Sequence, residues 1–383
     1  LTSSPTAADG RGNIPSSTPC RILVQASSGS QAYDVAARSA ASLDLDFQGG
    51  WENVDSTATQ TGMSTVKDDD GTVDEAGISL TGAYHGHWRR VVVNRFAFTS
   101  VARGVEVITP SDRDGADILL TVSNTTIQAS GDGLHVDYPK GYPSTTAGGL
   151  ARLTAENVQI VAGVSGSGYG CWVNGAWLGS SITATGTDPV TGYPKVSGIT
   201  SAGGAGVYFT AMNNEVMDAS FRNTVIHGCA TNGIHLDAAQ PGYAGIKPYV
   251  TRATLVNCTL ADNGGDGLHM MSQTSPSWVA ITNSILAGNA GHGLNLETTN
   301  GAFTCWESYN HFHNDDIYVA GASQAPVGSD VTGDPMFWSE KTGPDYYMLR
   351  WTASPSYLTD STGRNRGAYQ NTAPGRGTVV MFR

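Results

Sequence analysis

The stretch Asn223-Thr-Val-Ile-His-Gly-Cys-Ala-Thr-Asn-Gly-Ile-His-Leu236 recurs along the chain, as Asn257-Cys-Thr-Leu-Ala-Asp-Asn-Gly-Gly-Asp-Gly-Leu-His-Met270 and as Asn283-Ser-Ile-Leu-Ala-Gly-Asn-Ala-Gly-His-Gly-Leu-Asn-Leu296. Each copy begins with Asn, has an aliphatic residue three positions later, and ends with Gly followed by an apolar, a polar and an apolar residue. The last three positions show the period of two that is typical of a short strand with one buried face. The Gly before them gives a permissive backbone for a turn. Each copy therefore predicts a turn followed by a short β-strand.

The same pattern extends towards the N terminus. Asn94, Asn124 and Asn157 begin earlier copies, and the residues three positions after the six Asn are Ala97, Ile127, Ile160, Ile226, Leu260 and Leu286. The Gly-led strands read Gly104-Val-Glu-Val, Gly133-Leu-His-Val, Gly170-Cys-Trp-Val, Gly233-Ile-His-Leu, Gly267-Leu-His-Met and Gly293-Leu-Asn-Leu. The Asn markers are 30, 33, 66, 34 and 26 residues apart, and Gly206-Val-Tyr-Phe divides the gap of 66 into two. Such spacing predicts one coil of a solenoid per repeat.

Asparagine suits the corner of such a coil. Its side chain can hold a turn through hydrogen bonds to the backbone, and stacked copies can bond to one another from coil to coil. We therefore expect an all-β protein: a single-stranded right-handed parallel β-helix with an N-terminal cap and an irregular C-terminal closing segment. Residues 1–45 are predicted to form the extension and cap, 46–327 the coils, and 328–383 the closing segment of the same solenoid domain. The cap would include a short helix from Ala32 to Leu43, and Thr378 to Phe382 would form a last strand.

These repeats resemble the right-handed parallel β-helix (pectin-lyase-like) superfamily in its bacterial extracellular or surface form. The resemblance covers roughly residues 75 to 320 by repeat pattern. Near the start, Phe47-Gln-Gly-Gly-Trp and the acidic stretch from Lys67 to Glu75 look like a first coil. Further on, Ser308-Tyr-Asn-His-Phe, Gly333-Asp-Pro-Met-Phe, Ala353-Ser-Pro-Ser and Arg366-Gly-Ala-Tyr-Gln look like a closing signature. The resemblance implies the fold more strongly than the function, because this scaffold carries lyases, hydrolases, epimerases, adhesins and structural proteins.

Composition and charge narrow the class of partner. The 383 residues include 48 Gly and only 14% charged residues, and the net charge of −12 argues against a nucleic-acid partner. No stretch has the length of an apolar membrane span, so membrane insertion is not expected. The start at Leu1 fits a processed chain, and we expect an extracellular or cell-surface location. The five Cys lie far apart; Cys229 and Cys258 could pair, although buried thiols are the commoner arrangement.

The outward position of the repeated strand is the most informative functional feature. In coil order it holds Glu106, His135, Trp172, Tyr208, His235, His269 and Asn295. Stacking of the coils would bring these side chains within steps of about 4.8 Å, giving one continuous row. Aromatic rings can stack on the apolar faces of sugars, and Asp137, Asn174, Asp237 and Glu297 beside the row can accept hydrogen bonds from hydroxyl groups. We therefore expect a polysaccharide or other glycan as partner, with Trp172, Tyr208, His135 and Asp237 in contact with it.

Two alternatives stay open. Long insertions at about 174 to 198 and 238 to 252 could cover the row. The chain could also be a structural surface protein without catalytic activity, forming filaments with copies of itself through the ends of the solenoid.

A catalytic interpretation needs a base for the C5 proton of a uronate and a positive charge or calcium to neutralise its carboxylate. His235 and His269 are candidate catalytic residues on adjacent coils, and Lys247 and Arg252 are the candidate cations. The motif Gly291-His292-Gly293 matches a short element of polygalacturonases, but the carboxylate pair of a glycosidase is absent around it. His292 shares the turn position of Asn232 and Asp266.

Metal binding has weaker sequence signals. Asp68, Asp70 and Glu75 could hold calcium, since several oxygen ligands on a Gly-containing turn are what this ion requires; a solvated turn is the alternative. The loop from Asp112 to Asp117 is similar. The two His-x-His pairs, His85/His87 and His311/His313, have no evident third ligand, and we expect them to be ordinary surface or turn histidines.

Overall fold

The computed structural model describes residues 20–25, 43–51, 60, 62–67, 73–74, 76–81, 89–108, 118–137, 151–175, 179–188, 194–210, 216–238, 250–272, 277–298, 303–313, 316–319, 322–324, 327–337, 347, 349, 354–356, 359 and 366–368. These residues form β-strands and turns, with no α-helix among them.

The strands, in chain order, are β1 (Cys20–Gln25), β2 (Leu43–Trp51), β3 (Ser64–Lys67), β4 (Ala76–Thr81), β5 (Arg89–Asn94), β6 (Phe96–Val101), β7 (Arg103–Ile108), β8 (Ile118–Ser123), β9 (Thr126–Ala129), β10 (Leu134–Asp137), β11 (Ala151–Glu156), β12 (Gln159–Ala162), β13 (Cys171–Asn174), β14 (Ser180–Thr183), β15 (Ser197–Ser201), β16 (Val207–Thr210), β17 (Val216–His227), β18 (Ile234–Ala238), β19 (Val250–Ala261), β20 (Leu268–Ser272), β21 (Ser277–Thr282), β22 (Ile285–Ala287), β23 (Leu294–Thr298), β24 (Phe303–Ser308), β25 (His311–His313), β26 (Ile317–Val319), β27 (Ala322–Gln324) and β28 (Val331–Thr332).

The strands wind into the predicted parallel β-helix with three faces. Face 1 contains β1, β2, β5, β8, β11, β14, the first halves of β17 and β19, β21 and β24. Face 2 contains β3, β6, β9, β12, β15, the second halves of β17 and β19, β22, β25 and β28, and belongs to the same 18-stranded sheet. Face 3 is the separate sheet of β4, β7, β10, β13, β16, β18, β20, β23, β26 and β27. These strands pair in parallel with the next coil, except that β27 turns back antiparallel to β26. Each chain passage through faces 1, 2 and 3 is thus one coil.

The core is one column of apolar side chains along the axis. On face 3, the registers stack one inward residue from each of eight coils: Val105, Leu134, Cys171, Val207, Ile234, Leu268, Leu294 and Ile317. All are at most 1% exposed. Burying such a side chain is worth about 1.5–3 kcal/mol. The alternation of apolar and polar residues in the repeats therefore places one apolar side chain of every coil in this shared core.

The asparagine corner is confirmed. Asn124, Asn157, Asn223, Asn257 and Asn283 all have left-handed φ values, between 48° and 55°. Their amides also bond between coils: Asn157 Nδ2 lies 3.3 Å from Asn124 Oδ1, and Asn257 Nδ2 lies 3.1 Å from Asn223 Oδ1. The backbone conformation and the ladder of amides thus favour the same residue.

The Asn94 copy is displaced by one position. Arg95, with φ of 63°, takes the left-handed place, so the buried residue three positions later is Phe98 and not Ala97. Phe98 pairs with Ile127 of the next coil, as this shift requires. Asn94 still contributes to the ladder, because its Oδ1 accepts from Asn124 Nδ2 at 3.0 Å.

The segments of the closing signature meet at the C-terminal end, and we call their contacts the closing cluster. Arg366, only 3% exposed, donates to the carbonyls of Asn310 and Ser329 and to Thr359. His311 bonds through Nδ1 to the Ser356 hydroxyl and through Nε2 to Gly333 O, at 2.6 Å for the latter.

The closing cluster corrects the expectation that His311 is a surface or turn residue. Its exposure is 0%, and burial lowers its pKa to about 4. The His85/His87 pair, the helix from Ala32 to Leu43 except its last residue, and the strand from Thr378 lie outside the described residues. The thiols of Cys229 and Cys258 are buried and free.

Candidate functional site

The predicted outward row exists on face 3, and we call it the stripe. Parallel pairing places its residues side by side in the expected order: Glu106, His135, Trp172, Tyr208, His235, His269 and Asn295. Ser79 precedes Glu106 and Tyr318 follows Asn295 in the same register. The stripe therefore crosses nine coils, because each coil contributes its outward strand position once.

The rings of the stripe contact one another. The ring centroids of His135 and Trp172 lie 4.3 Å apart and nearly parallel, and those of His235 and His269 lie 4.8 Å apart. Tyr208 meets His235 edge to face at 4.9 Å, and it also stacks on Tyr169 at 5.0 Å. Part of the ring surface is thus occupied within the protein, and ring edges form much of the outward surface.

A second row flanks the stripe at the turn that enters each face 3 strand. We call it the turn row; each member lies three residues before its stripe residue, and the row contains Arg103, Asp132, Tyr169, Ala205, Asn232, Asp266 and His292. Its side chains bond to the stripe: Asp132 Oδ2 lies 2.6 Å from His135 Nδ1, and Arg103 pairs with Glu106. The repeats already show that one turn position is shared by Asn232, Asp266 and His292. They do not predict the hydrogen bonds between this row and the stripe, because the residue type changes from coil to coil along the row.

The hydrogen bonds around Asn232 fix the tautomer of His235. Asn232 Oδ1 accepts the backbone N–H of Asp266 at 2.8 Å, which turns Nδ2 towards the histidines. Nδ2 then donates to Nδ1 of His235 at 3.2 Å, so the proton of the neutral ring lies on Nε2. Burial, with His269 adding to the effect, lowers the pKa of His235 to about 4. His235 is therefore a neutral hydrogen-bond donor at neutral pH and a poor general base.

His269 lies between two carboxylates. Its Nδ1 is 3.6 Å from Asp266 Oδ2, and its Nε2 is 3.5 Å from Glu297 Oε1. Asn295 links the same two carboxylates, because its Nδ2 donates to Asp266 at 2.9 Å and to Glu297 at 3.4 Å. This end of the stripe is rich in acceptors.

Three consecutive stripe residues carry buried polar atoms without a hydrogen-bond partner: His235 Nε2, His269 Nε2 and Asn295 Oδ1. The 3.5 Å contact of His269 Nε2 with Glu297 is too long and poorly aligned for a hydrogen bond. Leaving such an atom unpaired costs about 1–3 kcal/mol. Native structures contain few such groups, and each calls for an explanation. Four further atoms of this kind occur elsewhere among the described residues, on Trp51, Arg252, Asn257 and Glu307, whereas these three lie on adjacent coils of one row.

A third row, the end row, lies two residues further along each strand: Ile108, Asp137, Asn174, Thr210, Asp237, Met271 and Glu297. Asn174 bridges its neighbours, donating to Asp137 at 2.8 Å and accepting from Thr210 at 2.9 Å. Asp237 is 8% exposed and accepts a hydrogen bond from Tyr208. Burial, followed by the charge of Asp237, raises the pKa of Tyr208 to about 12.

The predicted catalytic residues are only partly brought together. His235 and His269 are neighbours on face 3, but Arg252 lies on face 1, where its guanidinium carbon is 5.8 Å from the ring centre of Trp278. Outside the described residues lie Lys247, the predicted calcium ligands Asp68, Asp70 and Glu75, and the whole loop from Asp112 to Asp117. Within the described part of the chain no group of three His, Cys, Asp or Glu side chains could hold a metal ion.

The first insertion does not run over the stripe where it is described. Its residues 180–183 form β14 of face 1, and β15 of face 2 begins at Ser197. Between them, an isolated antiparallel bridge pairs Thr187 with Pro194. Most of the second insertion, 239–249, lies outside the described residues.

The three rows of face 3 are strongly acidic. Their described residues include six carboxylates, Glu106, Asp132, Asp137, Asp237, Asp266 and Glu297, and Asp316 adds another next to His292. Arg103 is the one Lys or Arg in these rows, and it is already paired with Glu106. This surface repels polyanions.

No family model, curated protein or solved structure matches this chain. In the described part of the chain, no helix has the length and apolar character needed to span a bilayer.

Proposed function

We propose that this protein binds a glycan along the stripe, outside the cell or at the cell surface, with the chain of sugars parallel to the solenoid axis. The observation that carries the proposal is the set of unpaired polar atoms on three successive coils, His235 Nε2, His269 Nε2 and Asn295 Oδ1. A sugar hydroxyl both donates and accepts, so hydroxyl groups can satisfy the ring donor and the amide acceptor alike. Because these atoms are buried, the side chains of the stripe turn outward when the glycan binds.

The arrangement favours binding over uronate cleavage. A lyase needs a positive charge close to its base. Arg252 lies on another face, and the neutral His235, with a pKa of about 4, is poorly matched to proton abstraction at neutral pH. The catalytic roles of His269 and Lys247 remain predictions.

The test uses His235→Phe. Phe keeps a ring between Tyr208 and His269 and removes the unpaired donor. It also removes an acceptor of Asn232 Nδ2, but that group still has His269 Nδ1 at 3.4 Å, so the melting temperature should change little. Affinity for the glycan should fall about tenfold or more, since a hydrogen bond made only in the complex is lost. The matched control is His227→Phe, which makes the same change on face 2, where His227 packs against Tyr347.

The wild type is first screened by calorimetry against alginate, pectin, chondroitin and neutral glycans. Binding by the wild type and by His227→Phe, but not by His235→Phe, supports the stripe. Equal binding by all three proteins refutes the stripe as the binding surface, and no binding to any polymer refutes a glycan function.

One observation favours self-assembly as a second function. On face 1 the last described strand is β24; among the described residues it pairs with β21 alone, and its Trp306 is 57% exposed. An unpaired strand edge with an exposed aromatic residue is a ready surface for another chain, and β1 offers the opposite end of the same face. Electron micrographs of the wild type and of Trp306→Ser test this: fibres that are lost in the variant support assembly, and monodisperse rods in both exclude it.

A further inference from the structure

A cleft of about 530 Å³ opens beside the N-terminal end of the stripe. It lies across four coils at the turn before face 3, and its lining is mainly polar, with Asp74, Ser79, Arg103, Glu106, Ser130 and Ser165 among the residues that form it. Its volume falls in the range of small-molecule sites. Ser79 and Glu106 also belong to the stripe, so a glycan bound there would reach the cleft directly.

A fixed pair of charged groups lies in the cleft. Glu106 is 7% exposed and accepts from Ser79 Oγ at 2.8 Å and from Arg103 Nη1. The Arg103 side chain is 41% exposed, with Nε 3.9 Å from Asp132 Oδ2, which leaves Nη2 without an acceptor among the described residues. The pair therefore holds its geometry and still offers a donor to the cleft.

Serine hydroxyls supply the remaining polar groups. Ser165 Oγ donates to Ser130 O at 2.8 Å and keeps its lone pairs, and Ser130 and Ser167 add two more hydroxyls. Small groups that both donate and accept, next to a carboxylate and a guanidinium, match the hydroxyls of a sugar ring. The narrow side chains of Ala76 and Ala102 leave room for the ring itself.

The net negative charge of the cleft favours uncharged sugars over anionic ones. Asp74 and Glu106 line the cleft against the single Arg103, and Asp132 lies just outside it. An anionic sugar would enter a region of net negative potential in which the cation is already paired, whereas an uncharged sugar meets no such repulsion.

We propose that this cleft binds an uncharged sugar unit of the glycan and sets the specificity of the protein against uronate polymers. The inference rests on the proposed function, because it places the first subsite of a glycan that continues along the stripe. Arg103 and the serines hold the hydroxyls, and Glu106 fixes Arg103 and excludes carboxylate-bearing sugars.

The experiment compares neutral trisaccharides of β-1,4-linked glucose, mannose or galactose with trigalacturonate by calorimetry. The wild type should bind at least one neutral trisaccharide about tenfold or more tightly than the uronate. Ser165→Tyr fills the cleft from an exposed turn and should abolish that binding, while Ser181→Tyr on face 1 should not. Glu106→Gln keeps the shape of the cleft but removes its buried charge, so the preference for the neutral sugar should shrink.

The outcomes separate the two proposals. If the wild type binds glycans and Ser165→Tyr binds them equally well, the cleft is not a subsite, although the stripe proposal survives. Uronate binding as tight as neutral binding overturns the specificity inference. If no glycan of any kind binds, the proposed function fails and the inference fails with it.

Discussion

At the scale of single residues, one side chain often meets two requirements at once. Asn257 occupies a left-handed backbone position, with φ of 55°, and its amide bonds to Asn223 one coil away. Most residues lose about 1–2 kcal/mol in that conformation, but Asn tolerates it. Gly would adopt the left-handed conformation but could not make the bond between coils, and Ser would meet neither requirement fully. Asn meets both, which explains why it occupies the corner.

Two substitutions separate these contributions. Asn257→Gly keeps the backbone conformation and loses the amide bond, and we expect about 1 kcal/mol of destabilisation. Asn257→Ala also loses the short polar side chain that makes the left-handed conformation tolerable, and should lose about 2–3 kcal/mol. Denaturant unfolding measures both. Equal losses would show that the backbone conformation contributes nothing.

The burial of Glu307 should lower the free energy of unfolding by an amount that depends on pH. It takes an inward position on the last coil of face 1, opposite Ile281, and one of its carboxylate oxygens is buried without a partner. Burial, with the nearby Asp330 adding to it, raises the pKa of Glu307 to about 7. A carboxyl group with a raised pKa stabilises the fold least when ionised, so stability is lost as the pH rises from about 4.5 through 7.

Glu307→Gln should therefore stabilise the protein at pH 8 and have little effect at pH 4. After allowance for solvent screening, we expect about 1–2 kcal/mol between these conditions. Thermal melts of both proteins at several pH values give the difference. Glu297→Gln, at a side chain that is 46% exposed, serves as control. A pH-independent difference for Glu307→Gln would contradict the buried ionisation.

At the scale of elements, the closing segment joins chain regions that are far apart in sequence. Besides the Arg366 contacts, the backbone N–H of Gly367 donates to Asn283 O at 2.7 Å, and Tyr347 packs with Leu349 and Ala368 against Val225, Ala261 and Ile285 on face 2. These contacts cover the outside of face 2 and fasten the segment across several coils.

Removing the Arg366 guanidinium tests how much its hydrogen bonds contribute to holding the closing segment in place. Arg366→Ala leaves the carbonyls of Asn310, Ser329 and Thr359 without their donor, and we expect a loss of about 3 kcal/mol. Arg366→Lys should recover less than half, because one ammonium cannot reproduce the planar fork. Hydrogen exchange at Gly367 and Ala368 should speed up in both variants. Arg222→Ala, at an exposed position of face 1, should change neither quantity.

The elements also show what the sequence can and cannot predict. The order of the stripe followed from the repeats, because a Gly before each strand and a period of two fix the register. Arg252 is a candidate cation because it lies in the segment between two repeats, yet the chain turns onto face 1 before reaching it. The partners of His311, Ser356 and Gly333, lie 45 and 22 residues away, outside any repeat. Contacts that recur in every coil can be predicted from the sequence repeat, whereas contacts that occur once in the molecule leave no repeated pattern to predict them from.

At the scale of the whole molecule, each coil contacts mainly the coils before and after it. Stability is then nearly a sum of similar units and interfaces, and a complete unit can be removed if its neighbours fit each other. Residues 124–156 form such a unit, with β9, β10 and β11. Ser123 and Glu156 are partners in register, so Ser123 can lead into Asn157 as Glu156 does.

Deletion of residues 124–156 should give a folded solenoid that is shorter by one coil, about 4.8 Å along the axis. In the shortened protein, β8 would pair with β14, and Val105 would stack on Cys171 where Leu134 did before. Deleting residues 124–140 instead removes β9 and β10 but keeps β11. The chain would then pass from one face 1 strand, β8, directly to another, β11, without strands for faces 2 and 3, so this coil could not form. The first protein should keep a β-type circular dichroism spectrum and a cooperative melt, and small-angle scattering should record its shorter length. The second should lose the cooperative melt. If both deletions melt alike, the coils are not exchangeable units, and the stability of the solenoid depends on contacts beyond neighbouring coils.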